Sequence, residues 1–202
     1  MFEHLRTFFG NLFTPLAKLL LRLGVSPDAV TVVGTLGVAA GALWFFPRGE
    51  LVVGVLVVTA FVFSDLLDGT MARLSGTTSP WGAFLDSTLD RVGDSAIFGG
   101  LVLFFAGPGD SVPLMALTLY CLVAGWLTSY ARARAESLGM EAKGGLATRS
   151  DRLVAVLAAA FFADLTDLPI LLTATLCALA VASTITVFQR ILSVRGQAKA
   201  AA

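Results

Sequence analysis

Four aspartates lie between residues 65 and 90, and their spacing predicts a shared chemical site. Asp65 and Asp68 are three residues apart, whereas Asp86 and Asp90 are four residues apart. On a helix, either spacing puts both side chains on one face. Small residues, which leave room for a ligand to approach the acids, accompany them at Gly69, Ala72 and Gly82.

Four like charges in a medium of low dielectric constant repel one another strongly, so the site needs a positive partner. Carboxylate oxygens suit hard cations such as Mg²⁺, Mn²⁺ or Ca²⁺ better than Zn²⁺. Two divalent ions would neutralise four carboxylates, and two-metal sites typically bind phosphoryl oxygens. We therefore expect two Mg²⁺ or Mn²⁺ ions at these acids. The alternative is that the acids cap helices or pair with Arg73 and Arg91.

The composition indicates that membrane helices carry this site. The chain has 202 residues, of which 56% are hydrophobic and 14% charged, and its mean hydropathy is +0.84. The hydrophobic fraction and hydropathy are higher, and the charged fraction is lower, than in soluble domains, which indicates a polytopic membrane protein. Cys121 and Cys177 lie in apolar runs, so neither a disulfide framework nor a zinc site is expected. The formal net charge is zero, and we expect no nucleic-acid partner.

Hydrophobic periodicity predicts an all-α membrane protein that forms a single domain over residues 1–202. An amphipathic interfacial helix over residues 1–24 ends at Gly24, six transmembrane helices form a bundle over 25–195, and 196–202 form a tail. Ser26 and Pro27 are typical of a helix N-cap and first position. The six predicted spans are 30–46, 51–74, 81–106, 112–131, 151–163 and 168–188.

The distribution of basic residues predicts the orientation in the membrane. With six spans, thirteen lysines and arginines fall on the side of both termini, and Arg48 alone falls on the other side. By the positive-inside rule, both termini lie in the cytoplasm, and the protein is integral to the cytoplasmic membrane. The four acids and the start of the first span lie at that same face, so the active site is expected to open to the cytoplasm.

The four acids and their neighbours resemble the signature of a known family. The pattern D-x-x-D-G-x-x-A-R, eight residues and G-x-x-x-D-x-x-x-D is identified as the signature of the CDP-alcohol phosphotransferases. The resemblance implies displacement of CMP from CDP-diacylglycerol by an alcohol, with Asp90 as the catalytic base. It assigns the metals to Asp65, Asp68 and Asp86, with Asp90 near one of them. It also implies a usual homodimer, a setting among membrane lipids, and binding of the CDP-lipid by Pro27, Asp28, Thr31, Gly69, Ala72, Arg73 and Thr77.

A second, basic group of residues bears on the acceptor alcohol. Several arginines suit a phosphorylated acceptor, because the guanidinium group binds phosphate through two hydrogen bonds. The runs at residues 129–136 and 144–152 resemble the actinobacterial phosphatidylinositol phosphate synthases. That resemblance implies inositol 1-phosphate as the acceptor. The expected phosphate-binding residues are Ser129, Arg132 and Arg152, completed by Arg190 or Arg195.

Two alternatives stay open at the level of sequence. A phosphatidylglycerol phosphate synthase would use glycerol 3-phosphate, which is also a phosphorylated acceptor that arginines would suit. A cation transporter would use the four aspartates as its transport site. The position of the acids at one face of the membrane, rather than at its midplane, argues against the transporter.

Overall fold

The computed structural model describes residues 14–200, except for the side chain of Asp65. Residues 1–13 of the predicted interfacial helix lie outside this range. The described residues form helices and connecting turns, with no β-strand among them. The helices are α1 (14–22), α2 (Pro27–Phe45), α3 (Leu51–Val62), α4 (Ser64–Ser75), α5 (Pro80–Ala106), α6 (Val112–Ser137), α7 (Arg149–Leu165) and α8 (Ile170–Ala200), and a short 3-10 helix (Phe46–Arg48) follows α2.

The predicted boundary between the first two helices is confirmed. Gly24 has a φ of 79°, the left-handed conformation that ends helices and that glycine adopts without strain. The Ser26 hydroxyl accepts a hydrogen bond from Ala29 N at 3.2 Å, and α2 begins at Pro27. Serine therefore caps a helix whose first position needs no amide donor.

The second predicted span, residues 51–74, coincides with the apolar segment Leu51–Ser75, and an interruption at Phe63 that the sequence did not predict divides it into α3 and α4. Ser64 Oγ donates to the Phe61 carbonyl at 2.6 Å and so competes with the regular helical ladder. Gly34 of α2 packs against this point, because a Cβ on it would collide with the Ser64 side chain. Close helix packing through a small residue thus coincides with the break.

Four segments of the described chain are long and apolar enough to cross a bilayer, which makes this a membrane protein. They are Pro27–Arg48, Leu51–Ser75, Val112–Ser137 and Ile170–Ala200. The other two predicted spans coincide with α5 and α7. α5 carries Asp86, Asp90, Arg91 and Asp94, and α7 has only 17 residues. α8 continues to Ala200, beyond the end of the predicted bundle at residue 195.

The described chain divides into two compact units. The first unit holds residues up to Leu43 and Leu56–Ile97, and the second holds Trp44–Val55 and the residues from Phe98 onward. In the first unit, α1 packs on α4 through a buried cluster of Ala17, Leu67 and Met71. In the second unit, α8 packs against both α6 and α7.

Candidate active site

An open cavity of about 260 Å³ lies in the first unit. The first turns of α2 and α5 line it, together with one face of α4 and the loop that follows α4. Most of the residues predicted to bind the CDP-lipid lie in this lining, although they come from different helices and from the loop after α4. The predicted residues in its lining are Pro27, Asp28, Thr31, Asp68, Gly69, Ala72, Thr77 and Asp86.

Two helix N-termini contribute to the cavity, and each is formed by a Ser-Pro dipeptide. Ser79 Oγ accepts from Gly82 N at 3.0 Å and caps α5, which starts at Pro80, as Ser26 caps α2 before Pro27. The amide groups of a first helical turn carry partial positive charge. Two such turns at one cavity favour an anionic ligand such as a phosphate.

Asp68 is the buried acid of the cavity, with only 7% of its surface exposed. Thr31 Oγ1 of α2 donates a hydrogen bond to Asp68 Oδ2 at 2.6 Å. A buried carboxylate is costly unless polar partners stabilise it. This bond therefore fixes the Asp68 carboxylate on α4 relative to the first turns of α2. Asp86 of α5, in contrast, is exposed.

Asp68 and Asp86 are the two predicted metal ligands whose described side chains line the cavity. Among the described side chains, which exclude Asp65, no three of Asp, Glu, His or Cys are close enough to share an ion. Asp65 belongs to the same helix as Asp68 and precedes it by three residues. The available donors are carboxylate and hydroxyl oxygens, and this chemistry fits Mg²⁺ or Mn²⁺.

Asp90 lies one turn beyond Asp86 on α5 and outside the cavity lining. Its Oδ2 is 3.8 Å from Arg91 Nη2, which is also 3.4 Å from Asp94 Oδ2. The alternative of an ion pair with Arg91 is thus partly realised at Asp90. The predicted residue Arg73 is exposed beside the cavity, where its Nη2 donates to Thr70 Oγ1 at 3.1 Å.

Sequence reasoning missed three residues that line the cavity, namely Thr78, Ser79 and Ala83. It also missed Trp81, whose indole Nε1 donates to Asp28 Oδ2 at 3.1 Å. A signal for Ser79 was present, because Ser79-Pro80 repeats the capping pattern that predicted the start of α2.

The predicted acceptor residue Arg152 is buried in the second unit, with 3% of its surface exposed. Its Nη1 donates to Thr128 Oγ1 at 3.3 Å and to the Ala147 carbonyl at 3.2 Å. A Cβ on Gly125 would come within 3.3 Å of Arg152 Nε, so glycine lets the guanidinium group lie close to α6. Arg152 thus links α7, α6 and the loop before α7.

Arg190 of α8 joins the same group of residues. Its Nε donates to the Gly144 carbonyl at 3.1 Å, and its Nη1 donates to the Thr128 carbonyl. We call Thr128, Arg152 and Arg190 the basic cluster. Ser129 is adjacent to it on α6, where its hydroxyl donates to the Gly125 carbonyl at 3.3 Å.

The remaining predicted acceptor residues lie apart from these contacts. Arg132 is exposed on α6 and pairs with Glu136 at 2.9 Å. Arg195 is exposed on α8. It follows Arg190 by five residues, a spacing that places it on another face of the helix. The sequence left Arg190 and Arg195 as alternatives, and the structure brings Arg190 into the basic cluster.

The loop between α6 and α7 is attached to α8. Thr186 Oγ1 accepts from Leu146 N at 3.0 Å and from Ala147 N at 3.3 Å. Gly145 packs directly on Thr186 and has a φ of 138°, a conformation that other residues rarely adopt. In the more exposed part of the loop, the hydrogen bond from Lys143 lowers the pKa of the Glu141 carboxyl. The two adjacent glycines of the sequence thus allow the loop to reach α8.

Comparison with known proteins identifies the family. Residues 24–146 match the model of the CDP-alcohol phosphatidyltransferases, a segment that includes the first unit's cavity and all four acids. This chain belongs to the CDP-alcohol phosphatidyltransferase family. The resemblance carried by the sequence motif is thereby confirmed.

The same family assignment follows from individual relatives of this phosphatidyltransferase. A phosphatidylinositol phosphate synthase of Streptomyces avermitilis is 52% identical over 199 residues, which cover 96% of this chain and 82% of that protein. Another synthase of that name, from Cutibacterium acnes, is 50% identical, with 96% and 98% of the two chains covered.

Two solved structures extend the comparison to the fold. A crystal structure of the Mycobacterium tuberculosis phosphatidylinositol phosphate synthase with bound CDP-DAG has a TM-score of 0.88 and 44% identity, and covers 91% of this chain and 94% of that chain. A structure of that synthase with manganese and citrate has a TM-score of 0.85 and 44% identity, with 90% and 88% covered.

Proposed function

We propose that this phosphatidyltransferase transfers the phosphatidyl group of CDP-diacylglycerol to inositol 1-phosphate, which yields phosphatidylinositol phosphate and CMP. The observation that carries this proposal is the identity of 52% and 50%, over 96% of the chain, with two phosphatidylinositol phosphate synthases. Membership of this family also favours an enzyme over the cation transporter, the alternative that the sequence left open.

The cavity of the first unit is the proposed site of the CDP-lipid. Its two helix N-termini suit a diphosphate, and its small residues let a nucleotide approach the backbone of α4. The synthase from M. tuberculosis, which shares 44% of its residues with this chain, has been solved with CDP-DAG. The residues assigned to the CDP-lipid are Pro27, Asp28, Thr31, Gly69, Ala72, Arg73 and Thr77.

Asp65, Asp68, Asp86 and Asp90 are the proposed ligands of two Mg²⁺ or Mn²⁺ ions. The oxygen-only donors around Asp68 and Asp86 fit these cations, and the M. tuberculosis synthase has been solved with manganese. Such ions supply positive charge that offsets the carboxylates and polarises the diphosphate. Thr31 has a separate role, because its hydroxyl holds the Asp68 carboxylate in place.

In the proposed reaction, a hydroxyl oxygen of inositol 1-phosphate attacks the phosphatidyl phosphorus. A new P–O bond forms, the P–O bond within the diphosphate breaks, and CMP leaves with the bonding electrons. Asp90 accepts the proton of the attacking hydroxyl. Its place one turn beyond Asp86 on α5 supports this assignment.

The phosphate of the acceptor is assigned to the basic residues of the second unit. Guanidinium groups bind phosphate through paired hydrogen bonds. Arg152 and Arg190 are supported by their convergence at Thr128. The full assigned set is Ser129, Arg132, Arg152, Arg190 and Arg195.

The proposed molecule is a single membrane domain over residues 1–202 with six spans, cytoplasmic termini and a cytoplasmic active site. Residues 1–24 form its interfacial helix, and 196–202 its tail. Leu16 and Leu19 on α1, and Leu23 directly after it, are exposed, which supports contact of this segment with the membrane surface. A homodimer among membrane lipids is the proposed assembly.

An acceptor panel tests the proposed reaction. Purified protein receives labelled CDP-diacylglycerol with inositol 1-phosphate, glycerol 3-phosphate, inositol or serine, and the release of CMP is measured. We expect release with inositol 1-phosphate and little with the others. Preferential turnover of glycerol 3-phosphate would instead assign a phosphatidylglycerol phosphate synthase. Release with none of them would contradict the enzyme assignment and favour the transporter.

A further inference from the structure

Trp81, in the first turn of α5, is bonded to a residue in the first turn of α2. Its indole Nε1 donates to Asp28 Oδ2 at 3.1 Å. Tryptophan has one hydrogen-bond donor and no acceptor, so this bond uses its whole polar capacity. Asp28 lines the cavity, whereas Trp81 lies outside the lining. The indole is therefore connected to the cavity wall through the Asp28 carboxylate.

The bond to Trp81 also orients the second oxygen of that carboxylate. Asp28 Oδ1 lies toward Gly82, at 3.9 Å from the position that a Cβ on this glycine would take. Gly82 is itself part of the cavity wall. Because one oxygen is held by the indole, the carboxylate presents the other at the wall, between two helix N-termini.

The ring of Trp81 is held from its own helix. Phe84, three residues further along α5, has its ring centroid 5.9 Å away at an interplanar angle of 31°. Both side chains are largely exposed, at 59% and 60%. Packing within the protein thus contributes little to the position of the indole, whose described contacts are the ring of Phe84 and the bond to Asp28.

We propose that Trp81 is a positioning residue for the cytidine nucleotide: it holds Asp28 so that Oδ1 meets a hydrogen-bond donor of the bound nucleotide. This inference rests on the proposed function, since it takes the CDP group to bind in the cavity of the first unit. Trp81 acts on affinity for the nucleotide and leaves the chemical step and the acceptor untouched.

The test uses Trp81→Phe, which keeps an aromatic ring and removes the indole N–H. Binding of CMP to the detergent-solubilised full chain is measured by calorimetry, and the KM values of both substrates and kcat by turnover. We expect the Kd of CMP and the KM of CDP-diacylglycerol to rise about 3- to 10-fold, the range for one lost hydrogen bond. The acceptor KM and kcat stay as in the wild type.

The matched control is Trp44→Phe, the same substitution at the other end of α2. Trp44 is equally exposed, at 59%, and its ring contacts Arg48 instead of the cavity. We expect it to leave CMP binding unchanged. An Asp28→Ala background supplies the second arm, in which Trp81→Phe should cause no further loss because it acts through Asp28.

The outcomes separate the inference from the proposed function. Equal CMP affinity in the wild type and Trp81→Phe, while the wild type turns over CDP-diacylglycerol, would overturn the inference alone. Additive losses in the Asp28→Ala background, or an equal loss in Trp44→Phe, would overturn it too. A wild type that neither binds CMP nor releases it would overturn the inference together with the proposed function.

Discussion

At the scale of single residues, the acids of α5 lie in different surroundings although they share one helix. Asp86 is exposed in the cavity, whereas Asp90 is partly buried, with an 18% exposed side chain, and lies 3.8 Å from Arg91 Nη2. Residues next to each other on a helix do not normally face each other. Arg91 nevertheless reaches back to Asp90 while it pairs with Asp94 at 3.4 Å. Asp90 therefore lies within ion-pair distance of an arginine, whereas Asp86 is exposed in the cavity.

The first prediction concerns Asp90 as the base. Asp90→Asn removes the proton acceptor and keeps the size of the side chain, so we expect CMP release to fall by about 10²–10⁴-fold. Binding of CDP-diacylglycerol should persist, because Asp90 lies outside the cavity lining. The control is Asp110→Asn, the same change in the turn before α6. Full turnover by Asp90→Asn would remove the assignment.

The second prediction concerns Arg152. Arg152→Ala should raise the KM for inositol 1-phosphate about 10- to 100-fold, since a hydrogen bond to a charged group is lost. It should also lower the melting temperature, because Arg152 is 3% exposed and bonded to Thr128 and Ala147. Arg134→Ala, at an exposed arginine of α6, is the control. An unchanged acceptor KM in Arg152→Ala would contradict the phosphate-binding role.

At the scale of helices, the packing of α2 on the junction of α3 and α4 positions the cavity. Asp68 lies in α4 directly after this junction, and Thr31 of α2 bonds to it at 2.6 Å. Gly34 follows Thr31 by three residues and allows the close approach to Ser64. The distance between α2 and α4 at the buried acid thus depends on one missing side chain.

The third prediction tests this packing. Gly34→Ala places a Cβ against Ser64 and should destabilise the protein by about 1–3 kcal/mol through overpacking. Gly99→Ala, inside α5, is the matched control, because nothing lies within 4 Å of its added Cβ. We expect thermal unfolding in detergent to show a lower melting temperature for Gly34→Ala only. Equal melting temperatures for the two variants would argue against close packing at Gly34.

Local signals predicted much of the helical order, and tertiary contacts decided the rest. Ser26-Pro27 predicted the start of α2, and two of the four predicted acids, Asp68 and Asp86, line the cavity of the first unit. The break at Phe63 was missed because the apolar pattern runs through it, and it depends on Ser64 and a glycine of another helix. The choice between Arg190 and Arg195 was left open because it depends on how α8 is rotated, and Arg190 is the one that bonds to Thr128.

At the scale of the whole molecule, the proposed topology has six spans and cytoplasmic termini. Within residues 14–200, four segments are long and apolar enough to cross a bilayer, and α5 and α7 complete the proposed six. α5 carries its charged residues between Asp86 and Asp94, and its remainder from residue 97 to 106 has only apolar residues and glycine. If the six-span proposal holds, the loop before α7 and the turn before α6 lie on opposite sides.

The fourth prediction tests this orientation with single cysteines in intact cells. In a background of Cys121→Ser and Cys177→Ser, Asp110→Cys should react with an impermeant maleimide added outside. Lys143→Cys should react only after the cells are opened, because its loop is cytoplasmic in the proposed topology. Both sites lie in connecting segments between helices, so they are matched for access. Labelling of Lys143→Cys from outside would reverse the proposed orientation.

Two labels followed through one reaction test the proposed phosphatidyl transfer to inositol 1-phosphate. Purified protein with CDP-diacylglycerol receives inositol 1-phosphate that carries ³²P in its phosphate and ¹⁴C in its ring. We predict that both labels enter the lipid phase in equal amounts, with one CMP released for each, and only with Mg²⁺ or Mn²⁺ present. Entry of ¹⁴C without ³²P, CMP release without labelled lipid, or full turnover in chelator would contradict the account.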